Sequence, residues 1–255
     1  TNAGDLGNNT GWNFTSAGAQ NLYWIGNGGN WSDGNHWSHT SGGAPSGCSP
    51  TPADNVFFDG NSFSTVAQTV TIDPLIAYCR NIDWSAVTNN PALVGLNTKT
   101  LKIFGSVTLG TDMHIGFSGQ VNLEAITPGQ TITMAGQSFN SQVNVNGIGG
   151  EWTLQDIFTT NGTLVLNAGT FTSNNKTVNI GSFHSSSATM RTLNMGSSVF
   201  NCRGWTASPY PLTINCGTSV INFLSGSMFG GNHTYYDVNF TSSPGGISNN
   251  NQFHE

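Results

Sequence analysis

The chain has 255 residues, of which only 7% are charged and 11% are aromatic, and 33 are glycine. A globular chain normally has about a quarter charged residues, and a disordered chain combines high charge with few aromatics, so the composition indicates a folded protein with a weakly charged surface. The net charge of −6 disfavours nucleic-acid binding, and no apolar stretch approaches the ~20 residues that insert across a bilayer.

The N-terminal part of the chain divides into two segments. Residues 1–21 are polar and have no signal-peptide pattern, and we interpret them as a linker or, from the resemblance described below, as the tail of a preceding module. Residues 22–53 form an aromatic and Gly-rich block with a long Ser/Gly/Pro loop, and Trp24, Trp31 and Trp37 lie close together in it. The block either caps the open apolar end of a β-fold, or its three indoles form a platform on which sugar rings stack.

Residues 54–240 repeat one local pattern, in which two apolar residues are separated by a single residue and flanked by polar residues or Gly. This alternation predicts short, half-buried strands. The intervening residue is mostly Asn or Thr, so each strand has one apolar and one uncharged polar face. The apolar pairs are Val56/Phe58, Val70/Ile72, Leu101/Ile103, Val107/Leu109, Val121/Leu123, Ile132/Met134, Val143/Val145, Trp152/Leu154, Leu164/Leu166, Val178/Ile180, Leu193/Met195, Leu212/Ile214, Ile221/Phe223 and Val238/Phe240.

Two all-β architectures fit many short strands with turn residues between them. The many strands, their similar spacing and the recurring Asn and Thr favour an irregular parallel β-solenoid, or β-helix, in which stacked Asn side chains form hydrogen-bonded ladders. We therefore predict a solenoid over 54–240 with inward apolar pairs, an aromatic and Gly-rich N-terminal cap, and a linker over 241–255. The alternative is an antiparallel β-sandwich.

The four cysteines, in a chain so poor in Lys and Glu, indicate an oxidising compartment. The fragments that end at Cys202 and Cys216 match each other, and stacking them on adjacent strands predicts a Cys202–Cys216 disulfide. The remaining pair, Cys48–Cys79, would tie the cap loop to the solenoid. The alternative is that the cysteines are buried free thiols.

The carboxylates give weak candidate sites. Asp73 and Asp83, with Arg80 nearby, are the best candidates for acid–base chemistry on a polysaccharide, but each is also typical of a turn or a structural salt bridge. Glu151 and Asp156, which flank one strand, are open to the same two interpretations. We assign no catalytic residue from the sequence.

A structural calcium ion is the single cofactor for which the sequence offers a candidate site. Asp54 and Asp59 lie around one strand, with backbone carbonyls close by. No repeated Asp motif supports the site, and the scattered histidines and the lack of a Cys-x-x-Cys sequence give no zinc site.

Several segments carry a resemblance to a known group of proteins. They are the string YWIGNGGNWSD (23–33), then HWS (36–38), PTPADNVFFD (50–59), QTVTID (68–73), CRNIDW (79–84), GGEWTLQD (149–156) and RTLNMGSS (191–198). The chain resembles modules of very large secreted surface proteins of Bacteroidetes bacteria, with similar modules in phage and environmental sequences. The resemblance implies export, by the type IX secretion route, and display at a cell surface or in an extracellular fibre.

We expect an extracellular structural or adhesive module of a long repetitive surface or filament protein. Its partners would be other copies of the protein, neighbouring modules or neutral glycans, because so little charge cannot attract an ionic partner from a distance. One alternative is a carbohydrate-binding module or a polysaccharide-degrading β-helix enzyme. Another is a protein that binds ice or a crystal surface through a flat face of Thr and Asn.

Overall fold

The protein is built almost entirely from short β-strands. The computed structural model describes residues 18–209, 211–241, 246–248 and 252–253, so the segment predicted as 1–21 lies mostly, and the segment 241–255 partly, outside the described residues. Within them the helical structure is one 3₁₀ turn, Gly34–His36. The strands in chain order are β1 (Asn21–Trp24), β2 (Gly29–Asn30), β3 (Trp37–Ser38), β4 (Asn55–Phe57), β5 (Thr69–Thr71), β6 (Ile76–Cys79), β7 (Ile82–Asp83), β8 (Ala92–Gly95), β9 (Thr100–Ile103), β10 (Val107–Thr108), β11 (His114–Phe117), β12 (Gln120–Leu123), β13 (Gln130–Thr133), β14 (Val143–Val145), β15 (Glu151–Leu154), β16 (Phe158–Leu166), β17 (Gly169–Thr172), β18 (Thr177–Ser185), β19 (Arg191–Asn194), β20 (Val199–Cys202), β21 (Trp205–Ala207), β22 (Leu212–Asn215), β23 (Val220–Phe223), β24 (Met228–Phe229), β25 (Thr234–Tyr235), β26 (Asp237–Phe240), β27 (Ile247–Ser248) and β28 (Gln252–Phe253).

Parallel pairing stacks these strands into a β-solenoid of about 8 turns, which confirms the predicted fold class. Among the strand pairs of the described residues, β1 and β3 alone are antiparallel, so the sandwich alternative is wrong. The first face of the solenoid contains β1, β4, β7, β10, β13, β15, β17, β19 and β22. The second face begins with β2, β5, β8 and β11, and the third face begins with β6, β9, β12 and β14.

The second and third faces join in the middle of the solenoid, because β16 and β18 are single nine-residue strands that run across both faces. The first half of β16 continues the second face, since Thr160 bridges to Phe139 and the Asn140 side chain reaches the carbonyl of Ile115 in β11. The second half pairs with β14 of the third face. Beyond β18 the faces separate again, into β20, β23 and β26 on the second face and β21, β24 and β27 on the third.

The apolar pairs point inward, as predicted, and form one continuous core. Both members of each pair are buried from Val56/Phe58 to Leu193/Met195, whereas Ile214, Val238 and Phe240 near the C-terminal end are only partly buried. Alternation places the intervening residue on the outer surface of the same strand. The hydrophobic effect therefore fixes which side of every strand faces inward, and the polar residues lie on the outer surface of the three faces.

Stacked asparagines form hydrogen-bonded ladders along the outside of the faces. On the second face the Asn179, Asn201, Asn222 and Asn239 amides bond in succession over 2.8, 3.0 and 3.2 Å. Similar ladders run along the first face, at Asn21, Asn55 and Asn81 near the start and at Thr172, Asn194 and Asn215 further along. Each amide thus satisfies part of its hydrogen-bonding capacity from the neighbouring coil, without any charge.

The aromatic block forms the first coil and its cover. Strands β1 and β2 stack in parallel on β4 and β5, and β3 pairs antiparallel with β1, which covers the edge of the first face. The centroid of the Trp37 ring lies 5.0 Å from that of Trp24, 4.9 Å from that of Trp31 and 5.8 Å from that of Phe58. Trp24, Trp31 and Trp37 are 0%, 1% and 0% exposed. The sugar-platform interpretation is therefore wrong, because no indole face is accessible, and the block is a cap.

The two predicted disulfides are absent, and all four cysteines are free thiols. Cys202, at the end of β20 on the second face, lies in register with Phe223 rather than with Cys216, which directly follows β22 on the first face. The prediction failed because consecutive strands belong to different faces of one coil. Cys79 is buried and Cys48 exposed, and burial raises the pKa of the Cys202 thiol to about 12, which disfavours the reactive thiolate.

Candidate functional site

The structure does not bring the predicted acid–base pair together. Asp73 directly follows β5 on the second face and accepts hydrogen bonds from the backbone N–H of Ser32 (2.9 Å) and from its hydroxyl. Asp83 lies in β7 on the first face and accepts from the backbone N–H of Ser85 at 2.8 Å. Both carboxylates therefore stabilise turns, on separate faces of the solenoid.

Glu151 and Asp156 also have structural partners. Glu151 accepts a hydrogen bond from the Thr172 hydroxyl in the next coil at 3.0 Å. Asp156 accepts from the backbone N–H groups of Met134 (2.7 Å) and Ala135 (2.6 Å) in the preceding coil. These contacts join neighbouring coils, and neither carboxylate lines the groove described below.

The calcium candidates lie at opposite ends of β4. Asp54 is buried and accepts from the backbone N–H groups of Gln20 (3.0 Å) and Thr51 (2.9 Å), while Asp59 accepts from the backbone N–H of Asn61 at 2.9 Å. Throughout the described part of the chain, no three His, Cys, Asp or Glu side chains are grouped so that they could hold a metal ion. The contacts of Asp54 and Asp59 thus define loop supports rather than a cation site.

An open groove of about 700 Å³ lies on the third face. Its centre is a column of outward residues that the strand register places one above the other, each in the next coil. In order along the axis, the column contains Asn144, Val165, His184, Thr206 and Phe229. Phe229, at one end, is 50% exposed, so part of its aromatic ring is accessible from the groove.

The groove lies beside the junction of the second and third faces, where the strand register is irregular. The register of β16 against β18 shifts between Thr160 and Thr163, and glycine occupies the adjacent corner. A Cβ atom at Gly181 would lie 2.6 Å from two carbonyl oxygens of the coil below, so no larger residue fits there. Small residues continue along this side of the groove, at Thr163, Ser182, Gly204 and Ser227. The depression is therefore built into the backbone.

Buried aromatic side chains support the groove from inside the solenoid. Trp205 packs 4.3 Å from Phe183 between ring centroids, and both rings are buried. The Trp205 indole N–H donates to the Tyr235 hydroxyl (3.1 Å), which in turn donates to the carbonyl of Gly230 (2.8 Å). Burial raises the pKa of the Tyr235 phenol, so it stays protonated and keeps donating. This chain of contacts holds β21 and its outward residues in place.

Two side-chain amides in the lining, Asn144 in the centre column and Asn167, are pre-oriented. Asn144 donates to Asn122 of the coil below at 2.7 Å and accepts from Gln142 at 2.5 Å. Asn167 donates to Asn146 at 2.9 Å in the same way. Because these amides are already fixed by their neighbours, a ligand that hydrogen-bonds to them pays little entropy for ordering the side chains.

Arg203 is the one formally charged side chain in the described lining of the groove. The described residues that line it include Arg203 and His184 and no Asp or Glu. The His184 Nε2 atom lies 2.7 Å from the Ser186 hydroxyl, which fixes the ring. Further along the third face, Glu124 is paired with Lys102 at 3.2 Å. The groove therefore offers hydrogen-bonding groups, one exposed aromatic ring and an uncompensated cation.

Sequence reasoning missed every residue of this groove. Two residues of the groove depart from the usual pattern. Val165 stands between two core leucines where Asn or Thr is usual, and Phe229 is an apolar residue at an outward position. Both are visible in the sequence, but their alignment in one column depends on the register between coils, and the lengths of the coils vary.

Comparison with protein-family models, with curated proteins and with solved structures gave no match for this chain. In the described residues, no helix is long and apolar enough to span a membrane.

Proposed function

We propose that the chain is an extracellular adhesive module, a rigid β-solenoid whose third face binds glycans. The observation on which the proposal rests is the groove with exposed Phe229 at one end and fixed amide and hydroxyl groups along its length. Saccharides present both apolar C–H faces and dense hydroxyl groups, and a site that combines an aromatic ring with neutral donors and acceptors matches both. Export and surface display are part of the proposal, and the sequence resemblance to secreted surface modules supports them.

The stacked architecture supports the adhesive role. Each coil adds one outward position at the ~4.8 Å spacing of stacked strands, so the groove presents a regularly spaced row of groups along the solenoid axis, and their chemistry differs from coil to coil. A linear polysaccharide also repeats along its length, and many weak contacts then add together. On the third face, the hydrogen bonds from Asn144 to Asn122 and from Asn167 to Asn146 fix neighbouring coils relative to each other.

The test is binding of the chain to an array of neutral and acidic glycans, followed by titration of the best ligands with Phe229→Ala. We expect this variant to weaken binding about tenfold or more, because one stacked ring contributes on the order of 1–2 kcal/mol. Tyr236→Ala is the matched control, since Tyr236 is an exposed aromatic residue outside the lining of the groove. Binding to no glycan, or binding that survives Phe229→Ala, would contradict the proposal.

A second candidate function is binding to ice or another crystal surface, which the first face favours. Two columns of threonine run in register along it, at half-exposed or exposed positions. Rows of hydroxyl and methyl groups at the regular spacing of stacked strands can order water into a matching lattice. The columns contain Thr131, Thr153 and Thr172, and Thr170, Thr192 and Thr213.

This second function predicts thermal hysteresis, a gap between the melting and freezing points of the solution. Thr192→Lys should abolish it, because a long charged side chain in the middle of one column breaks the flat array. Thr98→Lys, at an exposed turn, should leave it unchanged. Absence of hysteresis in the wild-type protein would reject the second function.

A further inference from the structure

Arg203 stands at the corner between the second and third faces, in the turn from β20 to β21. Its side chain is exposed, and its guanidinium makes no hydrogen bond or ion pair with any other described residue. Arg203 lines the third-face groove and also a smaller depression of about 150 Å³ on the second face. It is therefore a free cation at the edge of the groove.

The backbone of Arg203 is held tightly although its side chain is free. Its N–H donates to the carbonyl of Gly181 at 2.9 Å, and a Cβ at Gly226 in the next coil would lie 1.9 Å from its carbonyl oxygen. The position of Arg203 relative to the groove is thus fixed by glycines on both sides.

We infer that the groove binds a glycan that carries carboxylate groups, and that Arg203 pairs with one of them. The inference rests on the proposed glycan-binding function and names the ligand class for it. The sequence predicted a neutral ligand because the chain as a whole has little charge. The groove differs from that average, since its described lining has the cation of Arg203 and no carboxylate to oppose an acidic ligand.

The expected preference comes from a charge-assisted hydrogen bond. Arginine presents a planar pair of donors that matches a carboxylate, and such bonds are about twice as strong as neutral ones. The same contact in a partly exposed groove weakens as salt screens it. We therefore expect an acidic glycan to bind about tenfold more tightly than its uncharged counterpart, with the difference shrinking at high salt.

The experiment titrates the chain with oligogalacturonate and oligomannuronate, and with the methyl ester of each, in which the carboxylate charge is removed. Arg203→Gln should reduce binding of the acids to the level of their esters. Arg80→Gln is the matched control, because Arg80 is an exposed arginine directly after β6 on the third face and does not line the groove.

Each outcome decides the inference. Tighter binding of an acid that is lost in Arg203→Gln and kept in Arg80→Gln supports it. Equal binding of acids and esters that is lost in Phe229→Ala overturns the role of charge and leaves the proposed glycan binding standing. An acid preference that survives Arg203→Gln overturns the assignment to Arg203. If neither acids nor esters bind, the inference fails, and the glycan array decides whether the proposed function fails with it.

Discussion

Replacing Trp37 with alanine should lower the free energy of unfolding by about 3–5 kcal/mol, the range for truncating a large buried aromatic residue. Trp37 is fully buried at the centre of the cap, where it contacts Trp24, Trp31 and Phe58. Its indole N–H also donates to the Trp31 carbonyl at 2.8 Å. Truncation leaves a cavity between the cover strand β3 and the first coils, and removes that bond.

Denaturant unfolding measures the effect, followed by far-UV circular dichroism of the strand backbone and normalised to the folded and unfolded baselines of each variant. Leu75→Ala is the control, because Leu75 is 68% exposed and its truncation should cost under about 1 kcal/mol. Stability in a solenoid is close to a sum over neighbouring coils, so amide hydrogen exchange in β1 and β2 should accelerate first. A Trp37→Ala variant as stable as Leu75→Ala would contradict the assignment of the block as a structural cap.

Replacing Gly147 with alanine should destabilise the protein by about 3 kcal/mol, at the upper end for overpacking, because the obstacle is backbone. Gly147 lies in the turn that leads from β14 on the third face to β15 on the first. A Cβ there would stand 1.7 Å from the carbonyl oxygen of Ala125 in the coil below. Since a carbonyl oxygen in a stacked turn cannot rotate away, the two coils must separate.

Gly60→Ala is the matched control for this variant. Gly60 is exposed, its added Cβ would meet nothing closer than the Thr88 hydroxyl at 3.9 Å, and we expect a change of under ~1 kcal/mol in either direction. Thermal unfolding of the two variants side by side separates the general effect of losing a glycine from the clash. Equal melting temperatures for the two variants would show that the coils tolerate local separation at Gly147.

Alternation in the sequence was sufficient to predict the fold class and the inward side of each strand. Val121 and Leu123, for example, are both core residues, and Asn122 between them faces outward. The pattern predicts this because burial of a strand with period two needs no knowledge of its neighbours. The composition, with almost no Lys or Glu on the strands, likewise indicated faces made of neutral side chains.

The contacts between coils could not be predicted in the same way. Val56 is in register with Ile82, 26 residues later, whereas Ile221 is in register with Val238, 17 residues later. With no constant period, the sequence does not show which strand stacks on which. For this reason the sequence predicts the wrong cysteine pairs, and it gives no indication that the residues from Asn144 to Phe229 form one column.

The sequence also does not show whether the three cap tryptophans are buried or exposed. A sugar platform and a cap both need several aromatic residues among glycines, so the pattern is the same for the two. Trp24 stacks on His36 at 4.8 Å with nearly parallel rings, a contact that depends on the 3₁₀ turn at Gly34–His36. Such a contact is a property of the folded loop and leaves no periodic signal in the sequence.

The asparagine ladders have a direction. In each of the Asn–Asn hydrogen bonds of Asn55, Asn81, Asn144, Asn201, Asn222 and Asn239, the later residue donates its side-chain N–H to the oxygen of the earlier one. The amide dipoles therefore all point the same way along the axis, as the peptide dipoles do in an α-helix. A surface that ends such a ladder with oxygens fits one that begins with N–H groups, and two identical ends do not match. The direction of the ladders therefore disfavours a closed twofold pairing of two like ends of the solenoid, and at the start of the first face the strand β3 already covers the edge.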